Sequence, residues 1–374
     1  AAADLGLERA EFRRRNLVRS DDMPWPMPTV LPLNVPSECD GGDYGLTLER
    51  CLDAFGWTEK SALQGCLVDG QLNGIAVGCY LEGAGSGKET VRLILQPDGR
   101  VMVNVGSSAI GQGVETVFRQ IAGDLLELPL DRIAGVQHGS TGLVSDGVGA
   151  FSSRSTVMAG SALAQAATPF LEAIKASAAS RLACAAQDIT LADGCASAPD
   201  GRSLDFADLA DGVAPVDGAY ANPKRTYSYG AHAIHVAVDP GTGGVSVLDY
   251  VAIEDVGRIV NPHTLHGQCL GAIVQGLGGT LLEHLVYDEE GQLLTGTFAD
   301  YLLPLASNFP QIRVHAYEDH PSPNNPLGAK GAGEGGIIPT GGLIANAVAN
   351  ALGVEPHDLP LSPERVWELA QRRR

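Results

Sequence analysis

Hydrophobic and polar positions begin to alternate at Asn73, and the alternation marks strands. Gly74–Leu81 (GIAVGCYL), Thr90–Leu95 (TVRLIL) and, after a Pro97-Asp98-Gly99 turn, Val101–Val105 (VMVNV) predict a meander or hairpin. The period then lengthens. From Val114 to Leu128 the apolar residues Val117, Ile121, Leu125 and Leu128 recur at helical spacing, and a long alanine-rich helix is expected over roughly Thr156–Ala179. Strands resume at Ala231–Val238 and Gly244–Ile253 around an Asp239–Gly244 turn, and Leu265–Leu285 is helical again. A last helix, covering Leu343–Leu352, is expected to begin near Thr340. The order of hairpin, polar glycine loop and helix occurs twice. It predicts a mixed α/β (α+β) chain of two similar lobes of strands and helices, with loops converging on one ligand.

The remaining stretches are less patterned. Ala1–Arg14 reads as an amphipathic helix that is basic toward its end, where the helix dipole favours cations. Asp21–Pro36 carries many prolines and is expected to be an extended connector, and Tyr44–Trp57 a short helix ending near Gly56. Ala186–Pro223 has the composition of a peripheral insertion. Boundaries are placed to give segments 1–62, 63–225 and 226–374.

Composition narrows the class. At 374 residues, 44% hydrophobic and 18% charged, the chain can bury a real core. The formal charge of −19 argues against a nucleic-acid partner and against an anionic membrane surface. Seven cysteines stand singly without a CxxC pair, which argues against a zinc site or a cysteine-held iron–sulfur cluster within these residues and suggests reduced thiols in the cytoplasm. No apolar run reaches the roughly 18 residues of a membrane span. The first residue is not Met, so a fragment or one part of a split protein is expected.

Candidate chemistry gathers in the loops. Seven glycines fall between Gly328 and Gly342, and the only charges among them are Lys330 and Glu334. Such a loop lets backbone N–H groups close on a ligand, with Glu334 as a lone carboxylate; the plainer reading is a connector with a solvated glutamate. Gly111-Gln112-Gly113 opens the Val114 helix, and Gln112 offers both donors and an acceptor, or serves only as a turn residue. Ser152, Ser153, Ser155 and Thr156 surround Arg154 at the start of the long helix, a pattern suited to phosphate or to plain capping. Gln268 and Gln275 share a helix face. Two look-alikes are set aside. Gly85–Lys88 fails as a phosphate loop because Glu82 and Glu89 stand at its first-glycine and hydroxyl positions. Gly331-x-Gly333-x-x-Gly336 follows HPSPNNP rather than a buried strand, which leaves a nucleotide-dependent dehydrogenase as an alternative reading only.

Taken together, GQG at Gly111–Gly113, SSRST at Ser152–Thr156, DVGRIVNP at Asp255–Pro262, GQCLGAIVQGLG at Gly267–Gly278, DYLLP at Asp300–Pro304 and GAKGAGEGG at Gly328–Gly336 resemble the molybdenum-binding large subunit of the xanthine oxidase family. The likeness runs over nearly the whole chain with the motifs in family order. It implies that Glu334 is the catalytic base, accepting a proton as a water-derived oxygen adds to an electron-poor carbon. A carboxylate that is ionised yet poorly solvated suits that role. The resemblance further implies molybdenum held by the pterin dithiolene rather than by protein ligands. Cofactor contacts would come from Gly111, Gln112, Gly113, Ser153, Arg154, Ser155, Thr156, Gln268, Lys330, Gly331, Ala332 and Gly333. The molybdopterin is expected in its cytosine dinucleotide form.

By the same resemblance, segment 1–62 ends the family's first molybdenum-binding domain. Segments 63–225 and 226–374 form two lobes of the second, and the rest of the large subunit belongs to a preceding part or a split-gene equivalent. Partners implied are an iron–sulfur subunit, a flavin subunit or other electron acceptor, and a small-molecule substrate. An N-heterocycle or aldehyde is favoured, with purine and carbon monoxide left open. A non-catalytic cofactor-binding or assembly protein is the alternative.

Overall fold

A computed structural model describes residues 1–27, 37–144, 146–222 and 224–373; most of the proline-rich connector, over 28–36, lies outside them. Helix α1 (Tyr44–Phe55) ends where expected, on Gly56 in the left-handed region (φ 71°), which closes the last carbonyls without a side-chain clash. Near the N-terminus the helix is shorter than the pattern suggests. It covers only Arg9–Arg14, because Gly6 turns the chain at positive φ and Glu8 caps the amides of Ala10 and Glu11.

The first lobe is built around a four-stranded sheet. Strand β1 (Gln71–Ala84) leads into the antiparallel hairpin of β2 (Lys88–Leu95) and β3 (Val101–Val105). Helix α2 (Val114–Leu126), strand β4 (Ile133–Gln137) and helix α3 (Ser155–Leu182) follow, and β5 (Val216–Ala221) pairs with β2 at the sheet edge. Between α3 and β5 the supposed insertion contains a small three-stranded antiparallel sheet. The second lobe repeats the plan with the hairpin of β6 (Thr226–Val238) and β7 (Val245–Asp255), helix α4 (Pro262–Leu281), strand β8 (Arg313–Tyr317) and helix α5 (Ile337–Leu352). A final helix, α6 (Pro363–Gln371), packs Val366 into the core of this lobe.

A boundary near residue 225 does not separate the two sheets. Strand β1 precedes the first lobe in sequence, yet it pairs along thirteen positions with β6 and belongs to the second sheet, whose order is β8-β7-β6-β1 followed by the edge strand Leu67–Val68. The sheet of β5-β2-β3-β4 is therefore inserted between strands of its neighbour. The pattern of β1 could not reveal this, since a strand's period carries no record of its partner. Every residue of β6 is buried, because α4 and α5 cover one face of its sheet while α1 covers the other.

Helix α5 begins three residues before the expected Thr340. Pro339 is its third residue, where a missing N–H removes no helical hydrogen bond. The helix lies so close to β1 that a Cβ on Gly74 would stand 2.0 Å from the Ala347 carbonyl oxygen and 2.7 Å from the Ala351 nitrogen. Both obstacles are backbone and neither can rotate away. Gly74→Ala is accordingly expected to cost about 1–3 kcal/mol of stability or more, measured as the shift in urea midpoint at unchanged slope.

Candidate functional site

Sheet topology decides where the loops meet. Strands β3 and β4 run parallel, so the loops that follow them leave the same edge of the sheet and α2 and α3 start side by side. The same holds for β7 and β8, which deliver α4 and α5. Loops at the carboxyl ends of parallel strands form the natural crevice of such sheets. Here the loops of both lobes enclose one cavity of about 290 Å³, lined by Gln112 and the first residues of α2 and α3 on one side and by Val256–Gln268 and Ala329–Glu334 on the other. Two bonds tie the lobes across it: Asn261 Nδ2 donates to Gln120 Oε1 (2.8 Å), and Arg258 Nη2 donates to Asp124 Oδ2 (3.0 Å).

The walls offer hydrogen-bond donors. Helix α2 starts on Gly113 (φ 83°) and α3 on Arg154, and neither has a side-chain cap, so the amides of their first turns are left for a bound acceptor. Gln112 accepts from the Ile110 amide through Oε1 (2.7 Å), and its Nε2 has no partner among the described residues. Gln268, half-buried on α4, likewise has no side-chain partner among them; its Oε1 lies 3.6 Å from where a Cβ on Gly333 would be. Gly111, at φ 101°, leaves open space where a side chain would stand. Ser155 and Thr156 line the cavity, although Ser155 Oγ already accepts from Ser107 Oγ (2.9 Å).

Three expected contacts are otherwise engaged. Arg154 was expected to present a cation to phosphate. It is instead buried (1% exposed), and its guanidinium pairs with Glu89 and donates to the carbonyls of Ser86 (3.1 Å) and Gly149 (3.1 Å). Burial demands a partner for such a charge, and the carboxylate supplied by β2 meets that demand. Lys330 is also buried, its Nζ 3.1 Å from Asp255 Oδ1 and 4.7 Å above the Tyr229 ring. Gly331 likewise faces its own chain: a Cβ there would fall 2.4 Å from Ala84 Cβ and 2.5 Å from Ser153 Cβ.

Glu334 stands at the rim, and its head is exposed rather than poorly solvated as its implied role would suit. The glycines beside it pack inward, Gly335 so closely that a Cβ would lie 2.4 Å from the Tyr80 hydroxyl, and this packing turns the carboxylate outward. Ser153 Oγ accepts from the Glu334 amide (3.1 Å) and lies 3.2 Å from Glu334 Oε2. The same hydroxyl is 2.5 Å from Oε1 of Glu82, a buried residue of β1 whose other oxygen is 3.4 Å from Ser228 Oγ. Sequence reasoning missed Glu82, noting it only as a spoiled phosphate loop. A single acid in an otherwise small and apolar strand was the available signal.

Behind Glu82 lies a second buried acid, Glu254 of β7. Cys269 Sγ donates to its Oε2 (3.2 Å), while His232 Nε2 lies 3.3 Å from its Oε1 without hydrogen-bond alignment. Burial, together with the charges of Glu334 and Glu254, pushes the Glu82 carboxyl up to about 7 against the opposing pull of the Ser153 hydroxyl. Folded Glu82 therefore keeps its proton where the unfolded chain, at 4.5, has lost it, and stability falls as pH rises between those values. Glu82→Gln should be more stable than the native chain at pH values above about 7 and gain nothing below about 4.5, read from unfolding free energies across that range. By contrast, Arg154→Ala leaves Glu89 buried and unpaired and should cost roughly 3–5 kcal/mol in the same assay.

Residues 50–310 match the family described as molybdopterin cofactor-binding domain. The chain belongs to this family, that of the molybdenum-binding large subunits of the xanthine oxidase type. It is 38% identical over 395 residues to 6-hydroxypseudooxynicotine dehydrogenase complex subunit gamma of Paenarthrobacter nicotinovorans, over 99% of this chain and 49% of that protein. It is 32% identical over 391 residues to the nicotine 6-hydroxylase large subunit of the same organism, covering 95% and 46%. The crystal structure of quinoline 2-oxidoreductase from Pseudomonas putida 86 superposes with a TM-score of 0.88 at 30% identity, covering 100% of this chain and 50% of that one. The chain thus spans about half the length of the relatives it matches. The nucleotide-fold alternative finds no support, since the glycine run is fed by an irregular segment tied to Gly257 by a bridge at Ala329.

Proposed function

We propose that this chain is part of the large subunit of a molybdenum hydroxylase that oxidises an electron-poor carbon of an N-heterocycle, with water as the oxygen source. The observation that carries the reading is the two-lobed cavity with unpaired amide donors on its walls and Glu334 at its rim. The donor chemistry fits an acceptor-rich pterin and its phosphates: uncapped helix starts, Gln112 and Gln268. When bound, the molybdenum–pterin group supplies the two-electron oxidation. Glu334 receives the proton that the attacking oxygen sheds, and Ser153 orients the Glu334 head by holding its amide and facing its Oε2. The heterocycle assignment rests on the names of the relatives: a nicotine hydroxylase and a quinoline oxidoreductase. An aldehyde is the competing class.

Because the Glu334 head is exposed, exclusion of water falls to the remaining part of the large subunit. An iron–sulfur subunit and a flavin subunit would carry the electrons away, in the cytoplasm, and the pterin would be the cytosine dinucleotide. Molybdenum and released nucleotide are to be measured per chain on the complex purified from its native host. The expected result is close to one molybdenum with cytosine nucleotide; a fully matured complex without molybdenum overturns the proposal. Glu334→Gln keeps shape and loses the base, so turnover should fall by about 100-fold or more while molybdenum content stays at the native level. Equal loss of metal would remove the assigned role.

A further inference from the structure

Ser153 occupies an unusual position. Both it and Ser152 are L-residues held in the left-handed region, at φ 45° and 54°, a conformation that costs free energy and persists only where surroundings enforce it. What the turn achieves is to place one hydroxyl between two carboxylates, Glu82 Oε1 at 2.5 Å and Glu334 Oε2 at 3.2 Å, while the Glu334 amide occupies a lone pair of the same oxygen. A serine hydroxyl has a single hydrogen. With both carboxylates ionised, one of them faces oxygen lone pairs without a donor. The arrangement is satisfied when the trio holds one further proton on either acid.

We propose that Glu82, Ser153 and Glu334 form a proton relay in which buried Glu82 takes up the proton that arrives at Glu334, leaving Glu334 ionised for the next turnover. The step is a paired transfer. The proton on Glu334 Oε2 passes to Ser153 Oγ as the Ser153 hydroxyl proton moves to Glu82 Oε1. No bond to carbon changes, and the trio keeps a net charge of −1 throughout. The relay resets along the same path once product has left and Glu334 meets water. Glu82 acts only through Ser153, so it is a positioning residue. The inference rests on the reading of Glu334 as general base.

The surroundings of Glu82 favour a reservoir. The titratable groups facing it are Glu334 from the glycine loop, Glu254 from β7, Tyr80 two residues earlier on its own strand, and Cys269 from α4. Ser228 of β6 faces its second oxygen. These neighbours are acids or weak acids, and burial raises the Tyr80 hydroxyl and the Cys269 thiol further, so neither competes for the anionic role near neutrality.

Infrared spectra of the assembled complex, recorded from about pH 5 to about pH 9, test the relay without relying on turnover. A carboxylic-acid carbonyl band that titrates near neutrality and vanishes in Glu82→Gln is expected. In Glu334→Gln the midpoint of that band should fall by about half a unit or more, because a like charge has gone. Glu82→Gln should also lower kcat by about tenfold with KM within about twofold, and Ser153→Ala should do the same at unchanged molybdenum content. A band that survives Glu82→Gln, a midpoint unmoved by Glu334→Gln, or an unchanged pH profile of kcat in Glu82→Gln overturns the relay. Full turnover in Glu334→Gln is a different outcome and overturns the base assignment itself.

Discussion

The close approach of Gly331 to Ala84 and Ser153 is the contact on which the site depends. No side chain fits between these backbones, so the glycine loop lies directly on the end of β1 and on the turn that starts α3. Three segments far apart in sequence are locked together there. Ser153 is thereby pressed between Glu82 and Glu334, and the Glu334 amide is held in place. The buried pair of Arg154 and Glu89 supports the same turn from behind. It joins the residue after Ser153 to β2, while further guanidinium bonds reach the loop between β1 and β2. Charge buried inside the protein is used to fix loops, while the cavity walls present amides and hydroxyls, with Arg258 and Glu334 as charged groups among the lining residues.

The lobes show how a repeated plan yields a single site. Each lobe alone has two helix starts at one sheet edge, a consequence of its one parallel strand pair. Facing the two edges at each other doubles the donors and encloses a cavity that neither lobe has alone. Strand β1 makes the pairing permanent, because it carries Ala84 and Glu82 to the first lobe's turn while its ladder belongs to the second sheet. The cross-lobe bonds of Asn261 and Arg258 add polar ties at the rim.

The chain by itself determined the local structure. Alternation and helical spacing placed the two hairpins and the helices that follow them, since those patterns reflect which faces are buried. Glycine density marked the loop of Glu334, and Gly111–Gly113 marked the start of α2, because backbone conformation at those points excludes most side chains. What the tertiary structure alone decided was partnership. That β1 pairs with β6, that Arg154 and Lys330 turn inward to Glu89 and Asp255, that Glu334 faces solvent, and that Glu82 stands one hydroxyl away from it all depend on contacts between residues tens to hundreds of positions apart. A residue's type states what bonds it can make; only the packed fold determines which group is within reach to receive them.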